Sequence, residues 1–467
     1  MIRPGDKILS FKLSAFLPLL FLGLLIEGIY LFFLRFFPLS LFYSQLTEVG
    51  SLTRYTPIWL GALLFAFLLL FFAFGLAVKY IAKYPSKHRL LFILLSTGIF
   101  GITLSFVYPL TATELYSTLA QIKLLVIYHQ NPFIISPAAY VTDPVLVLAG
   151  SASRVVSSPG PLEILLSAAV YLFSKDSLTV ALLAFKLFFS LFLVLSAFVA
   201  YKVAFVLKSN KAFALSAALF VGWNPLLLFI TNVLGQGAIV MFCLLLCTLY
   251  LYFKGKYISG NIILVLAVLM RWESLLLIPL FGLYGFFNQQ KGKRRIVFFT
   301  SFLLACLSCI SVYAPFWQGW ETFSGFFKEQ QIHYQSFSGI FGNFSRLLFI
   351  PFYIYCVWYA KRGKEQLLQA SFLTFVFFII FGMNQFHLWY IALPTIFAAF
   401  LSGRYRVTSI ILSISALFVS VSFSYVWAWM PAQNPTTFGL LGVISYGVII
   451  LPAILYFYLS SRVERAS

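Results

Sequence analysis

The chain has 467 residues, 62% of them hydrophobic and only 9% charged. Soluble domains carry about 25% charged residues, so this composition excludes a water-soluble fold and points to an all-α protein that crosses a membrane repeatedly. The net charge of +20 is spread over short loops, which fits membrane topology and excludes nucleic-acid binding as its explanation.

Arg3, Lys7 and Lys12 precede a first apolar run over 14–37, which places the N-terminus in the cytoplasm. The run is long enough to span and has no small-residue cleavage site, so it reads as an uncleaved helix. Glu27 lies in its middle and needs an intramembrane partner. A second span over 57–79 returns to Lys79, Lys83, Lys87 and Arg89. A third over 90–110 delivers the longest polar interruption, Thr111 to Pro161, to the outside. The apolar stretch from Leu162 to Phe173 falls short of the roughly 20 residues a span requires and reads as a half-buried outer helix.

Beyond a span over 178–203, basic clusters alternate with turns poor in positive charge. The clusters are Lys202 to Lys211, Lys254 and Lys256, Lys291 to Arg295, Lys361 to Lys364, Arg404 and Arg406, and Arg462 and Arg465. The turns fall at Asn224-Pro225, at Arg271, after Pro315, at Asn384 to His387 and near Met430. This alternation predicts about 14 spans with both termini inside. It divides the chain into two N-terminal helices (1–89), a core carrying the large outer loop 111–161 packed as short helices (90–403), and C-terminal helices (404–467).

Arg271-Trp272-Glu273 splits two apolar stretches, Asn261 to Met270 and Ser274 to Phe287, that are each too short to cross. The tip between them stops inside the protein, where irregular backbone is tolerated only against protein or a cavity. Arg271 therefore points into a water-accessible pocket, or closes the turn in an ion pair with Glu273. All five cysteines lie in apolar segments; Cys306 and Cys309 have CxxC spacing without nearby ligands and read as buried thiols.

The topology gathers polar residues on the outer side: Glu114, His129, Asn131, Asp143 and Arg154, then Asn224, Asn232 and Gln236, then Arg271 and Glu273, His333, and Asn384, Gln385 and His387 before Trp389-Tyr390. No Walker motif or Gly-rich strand-to-helix turn accompanies them, and no two histidines have zinc-ligand spacing. A carboxylate can take the proton of an attacking alcohol. Arg and His can neutralise a departing phosphate. Trp and Tyr suit a sugar face at the headgroup boundary. These are the parts for glycosyl transfer from a lipid-phosphate sugar, where the good leaving group lessens the need for a second, acidic carboxyl.

At these residues the chain resembles the GT-C class of membrane glycosyltransferases. It is most similar there to polyprenol-phosphate-mannose-dependent mannosyltransferases and relatives of GPI mannosyltransferase II. The resemblance is carried by Glu114, Tyr116, His129-Gln130-Asn131-Pro132-Phe133, Pro159-Gly160-Pro161-Leu162, Asn224-Pro225, Gly235-Gln236-Gly237, Arg271, Tyr313-Ala314-Pro315-Phe316 and His387-Leu388-Trp389-Tyr390. Two positions depart from the pattern: Glu114 stands where the class has Asp, and Gln236-Gly237-Ala238 lacks an acid.

The resemblance implies Glu114 as general base of an inverting transfer and Arg271 with His387 at the donor phosphate. Tyr116, His129, Asn131, Arg154, Asn224, Gln236, Gln385, Trp389 and Tyr390 would line the substrates. It implies a polyprenyl-phosphate hexose, mannose foremost, as donor, and a glycan or glycolipid acceptor at the outer face of the plasma membrane. No cofactor is implied, while a divalent metal stays open. Alternatives stay open too. Glu114 also reads as part of a helix start capped by Thr111 or Thr113, and His387 as a member of an interfacial aromatic belt. The Asn-Pro pairs form turns whatever the function. A lipid-linked glycan flippase, a polysaccharide ligase or a small-solute transporter shares the broken helices, but a transporter needs polar residues on both sides of the midplane.

Overall fold

A computed structural model describes residues 16–83, 85, 87–111, 114–140, 142–157, 159–174, 177–323, 343–383, 386–401, 403–431 and 433–466. Among them helices joined by turns and short loops make up the chain, and the only extended pairing is two isolated bridges, Pro38 with Val107 and Gln318 with Trp320. The helices are α1 (Leu17–Phe36), α2 (Pro57–Lys83), α3 (Lys87–Ser105), α4 (Glu114–Val126), α5 (Pro161–Tyr171), α6 (Leu178–Lys208), α7 (Lys211–Gly222) and α8 (Ala238–Phe253). They continue as α9 (Tyr257–Met270), α10 (Leu277–Asn288), α11 (Arg294–Tyr313), α12 (Asn343–Ala360), α13 (Lys364–Phe377), α14 (Ala392–Ala398), α15 (Arg404–Trp429) and α16 (Pro435–Ala466).

Eight described helices are long and apolar enough to cross a membrane, or nine if the bent pair Lys211–Gly222 and Pro225–Val233 is one span. The expected 14 is not reached by length and composition. The reason is local: α8, α9, α12 and the helical stretch Leu388–Ala398 are apolar but run only 10–17 residues. Charge alternation counts such segments as crossings because it senses where loops lie and not how far each helix extends.

Local signals explain the breaks. Ser209 adopts a left-handed conformation at the end of α6 (φ 50°), and Asn210 caps α7 by accepting from the amides of Ala212 (2.8 Å) and Phe213 (3.2 Å). The two helices therefore fold back on one another. Asn224 caps the turn after α7 in the same way, accepting from Leu226 and Leu227, and the chain bends there by 41°. Every residue of Ala214–Gly222 is buried, so α7 is a central helix, apolar on all sides. In α11, by contrast, only Ser301 is buried, which leaves that helix at the rim.

Two helices end in π turns, Phe229–Val233 and Phe378–Gly382. Such turns are uncommon and gather at functional sites. The first leads into Gly235-Gln236-Gly237 and the second toward His387. Glu27 finds its partner across to α3, where the Thr103 hydroxyl donates to its carboxylate at 2.6 Å. Lys186, wholly buried in α6, donates to the Val107 carbonyl.

The 111–161 loop is a stack of short helices, as expected. Asp143 holds it by capping Val145 (2.9 Å), accepting from Tyr128 (2.7 Å) and pairing with Lys123 (2.6 Å). Ala120, Leu124, Leu146 and Ala149 form a small core beneath it.

Candidate functional site

Glu114 is the first residue of α4, where exposed backbone amides favour an anion. His387 follows the second π turn in extended backbone (φ −116°, ψ 139°). The two meet: His387 Nδ1 lies 2.6 Å from Glu114 Oε1. Their side chains remain 25% and 31% exposed respectively, so the pair borders accessible space. Burial pushes the Glu114 carboxyl up, but His387 and then Arg271 outweigh it and hold the group below the ordinary carboxylate value.

Arg271 ends α9 in extended backbone (φ −148°, ψ 127°), which swings its side chain away from the helix and toward α5. Its expected partner was a pocket or Glu273. The structure instead gives it Glu163, through Nε to Oε2 at 2.8 Å and Nη2 to Oε1 at 3.1 Å. This two-point contact is the geometry of an ionised pair. The guanidinium also sits 4.9 Å from the Trp389 ring centre. Burial works against its charge, yet Glu163, Glu273 and Glu114 prevail and raise it above the usual guanidinium value.

Glu273 accepts from the Tyr390 hydroxyl at 3.1 Å and is only 2% exposed. Burial, only partly offset by Arg271, pushes its carboxyl up to about 7. The rings of Trp389 and Tyr390 lie 4.2 Å apart, and that of His387 is 5.5 Å from Tyr390. Glu114, Glu163, Arg271, Glu273, His387, Trp389 and Tyr390 thus form one connected cluster. Among the described residues no three His, Cys, Asp or Glu side chains are placed to hold a metal ion.

Other expected residues take different places. Tyr116 is buried and donates to the Tyr43 carbonyl at 3.1 Å. Asn131 spends its amide on the fold, donating to Phe316 O (2.7 Å) and accepting from Phe133 N (3.0 Å). Asn224 is the buried cap described above, and Gln236 is buried with its backbone amide on Ile230 O at 3.0 Å. His129 and Arg154 are exposed on the loop. Gln385, Asn384, His333 and Thr113 lie outside the described residues.

Glu163 was the residue that sequence reasoning missed. A signal was there: it is the single acid within the apolar stretch around Leu162 to Phe173, and a carboxylate in such a setting requires a partner. The helix it belongs to starts at Pro161, and the backbone of Gly160 donates to Met270 O at 2.9 Å, next to Arg271.

A family model described as alpha-(1->6)-mannopyranosyltransferase, N-terminal domain, of the MptA_B family, matches residues 39–286, more than half of the chain. No curated protein matches the chain. The matched region holds Glu114, Glu163, Arg271 and Glu273; His387, Trp389 and Tyr390 lie beyond it. It also starts well ahead of residue 90, where the motif order begins. The chain belongs to this mannosyltransferase family and is a hexose-transferring enzyme built on apolar helices able to cross a membrane.

Proposed function

From that membership we propose that the enzyme moves mannose from a polyprenyl-phosphate donor to a mannosyl acceptor at the outer face of the plasma membrane, with inversion at the anomeric carbon. The observation that carries this reading is the partly exposed Glu114–His387 pair beside Arg271 and two aromatic rings. It puts a proton acceptor beside positive charge, backed by the buried rings of Trp389 and Tyr390, as direct displacement of a lipid phosphate requires.

In this reaction the acceptor hydroxyl oxygen attacks the anomeric carbon from the face opposite the phosphate. The carbon–oxygen bond to phosphate breaks, polyprenyl phosphate leaves, and Glu114 takes the hydroxyl proton. Inversion yields an α product only from a β-linked donor. An α-(1→6) linkage makes the nucleophile a primary hydroxyl, the least hindered on the ring. His387 orients the Glu114 carboxylate, and Arg271 adds positive charge where the phosphate departs. Glu163 occupies Nε and Nη2 of Arg271, so a phosphate would be met through the Nη1 edge. The step involves no covalent enzyme intermediate, cofactor or obligatory metal.

The test is transfer by purified enzyme from polyprenyl-phosphate mannose to a mannoside acceptor. Glu114→Gln keeps the shape but cannot take the proton, and should lower turnover by about two to four orders of magnitude. Glu114→Asp should keep part of the activity. Equal rates for wild type and Glu114→Gln would remove Glu114 from catalysis. Failure of the wild type to use any lipid-phosphate sugar would favour transport.

A further inference from the structure

We infer that Glu163 is the positioning residue that sets the guanidinium of Arg271, and that Gly237 is glycine so that the Glu163 carboxylate can occupy the space beside it. The inference rests on the reading of Arg271 as the group that faces the donor phosphate.

Three independent contacts define the arrangement. First, Glu163 takes two of the Arg271 donor groups, at 2.8 and 3.1 Å, which fixes the plane of the guanidinium and aligns its third nitrogen. Its central carbon also lies 4.9 Å from the Trp389 ring centre, a second contact on the guanidinium. Second, a Cβ on Gly237 would stand 2.3 Å from Glu163 Oε1, closer than such atoms approach. The backbone of Gly237 has φ −66°, which any residue adopts, so space and not backbone conformation calls for glycine. Third, Gly160 seats the start of α5 directly on the end of α9: its amide bonds Met270 O, and a Cβ there would meet Leu269 O at 2.1 Å. The carboxylate and the guanidinium therefore come from two elements whose backbones are locked together one residue before Arg271.

Glu163 is 1% exposed and has no room to contact a substrate itself. Its action passes through Arg271. A guanidinium released from it would settle on Glu273 or Glu114 and misplace the positive charge by an ångström or more. Misplacement on that scale costs about 100-fold in rate.

The experiment is a double-mutant cycle on the intact, detergent-purified enzyme, with polyprenyl-phosphate mannose as donor. Glu163→Gln should lower kcat/KM for the donor by about 100-fold and leave the acceptor KM unchanged. Arg271→Ala should lose at least as much, and Glu163→Gln added to it should lower activity no further. Gly237→Ala, which displaces the carboxylate without removing it, should act like Glu163→Gln in the native background and be silent in Glu163→Ala. This second pair keeps the test decisive if Glu163→Gln does not fold. A simple loss of folded enzyme would scale down turnover with both KM values unchanged. Wild-type activity of Glu163→Gln, or a full additional loss in the double variant, would overturn the positioning role alone. Wild-type activity of Arg271→Ala would instead show that the phosphate assignment is wrong, and the positioning role would fall with it.

Discussion

Glu273 is the carboxyl with the most distinctive pH behaviour in the site. It keeps its proton up to about 7 in the folded enzyme, whereas an ordinary glutamate loses it near 4.5. Between these values the folded state binds more protons than the unfolded one, so stability falls as pH rises through the window and the penalty is complete above 7. Glu273→Gln still accepts from Tyr390 and carries no such penalty. Between pH 5 and 8 the wild type should lose about 2–3 kcal/mol relative to that variant. Melting midpoints of the two proteins in detergent, measured at both pH values, check this; a constant difference would refute it. Individual members of the cluster were legible in part. Glu114, Arg271, His387, Trp389 and Tyr390 stood out because charge or aromatic rings at a membrane boundary need a reason. Asn131 and Asn224 stood out for the same polarity, yet their amides satisfy backbone groups, and no local pattern separates the two uses.

At the scale of elements, the decisive contact is between the start of α5 and the end of α9. Gly160→Ala places a methyl group against the Leu269 carbonyl, a backbone atom that cannot rotate away. Forced packing of this kind costs about 1–3 kcal/mol, so the variant should melt lower and lose transfer activity together. Gly28→Ala is the matched control: it lies in α1 with nothing within 4 Å of the added carbon and should leave both unchanged. The hairpin tip at Arg271-Trp272-Glu273 was readable because its flanking helices are too short to cross. The two π turns were not, since they depend on how the helix ends are satisfied by tertiary contacts, and Phe229–Val233 and Phe378–Gly382 share only an opening Phe-Ile.

For the whole molecule, the distribution of Lys and Arg predicts that both termini and the Lys291 to Arg295 cluster face the cytoplasm and that the 111–161 loop lies outside. His129 and Lys293 are both exposed, so each can be tested without disturbing the fold. With the five native cysteines replaced, cysteine at 129 should react with an impermeant thiol reagent on intact cells, and cysteine at 293 only after the membrane is opened. Labelling of both on the same side would overturn the topology and the outer-face reaction together. The number of crossings is a separate matter. Among the described residues eight or nine helices meet the length requirement, and the shorter apolar helices α8, α9 and α12 make up much of the difference from the predicted 14. A periodic apolar pattern is the same whether a helix crosses fully or stops at a cavity.

The sequence by itself determined the helical membrane class and the broken hairpin, and it singled out the 111–161 loop and most of the charged and aromatic residues that the structure brings together. These follow from composition and from the cost of placing charge in lipid, which every residue reports independently. Only the tertiary structure decided who pairs with whom. It joined Glu114 to His387 across 273 positions and gave Arg271 to Glu163, 108 positions away, in place of Glu273 two residues along. Pairing at that range is set by which backbones touch. Here Gly160 on Met270 and Gly237 beside Glu163 bring α5, α9 and the turn before α8 into contact, and the strength of an ion pair depends on the resulting distances and burial.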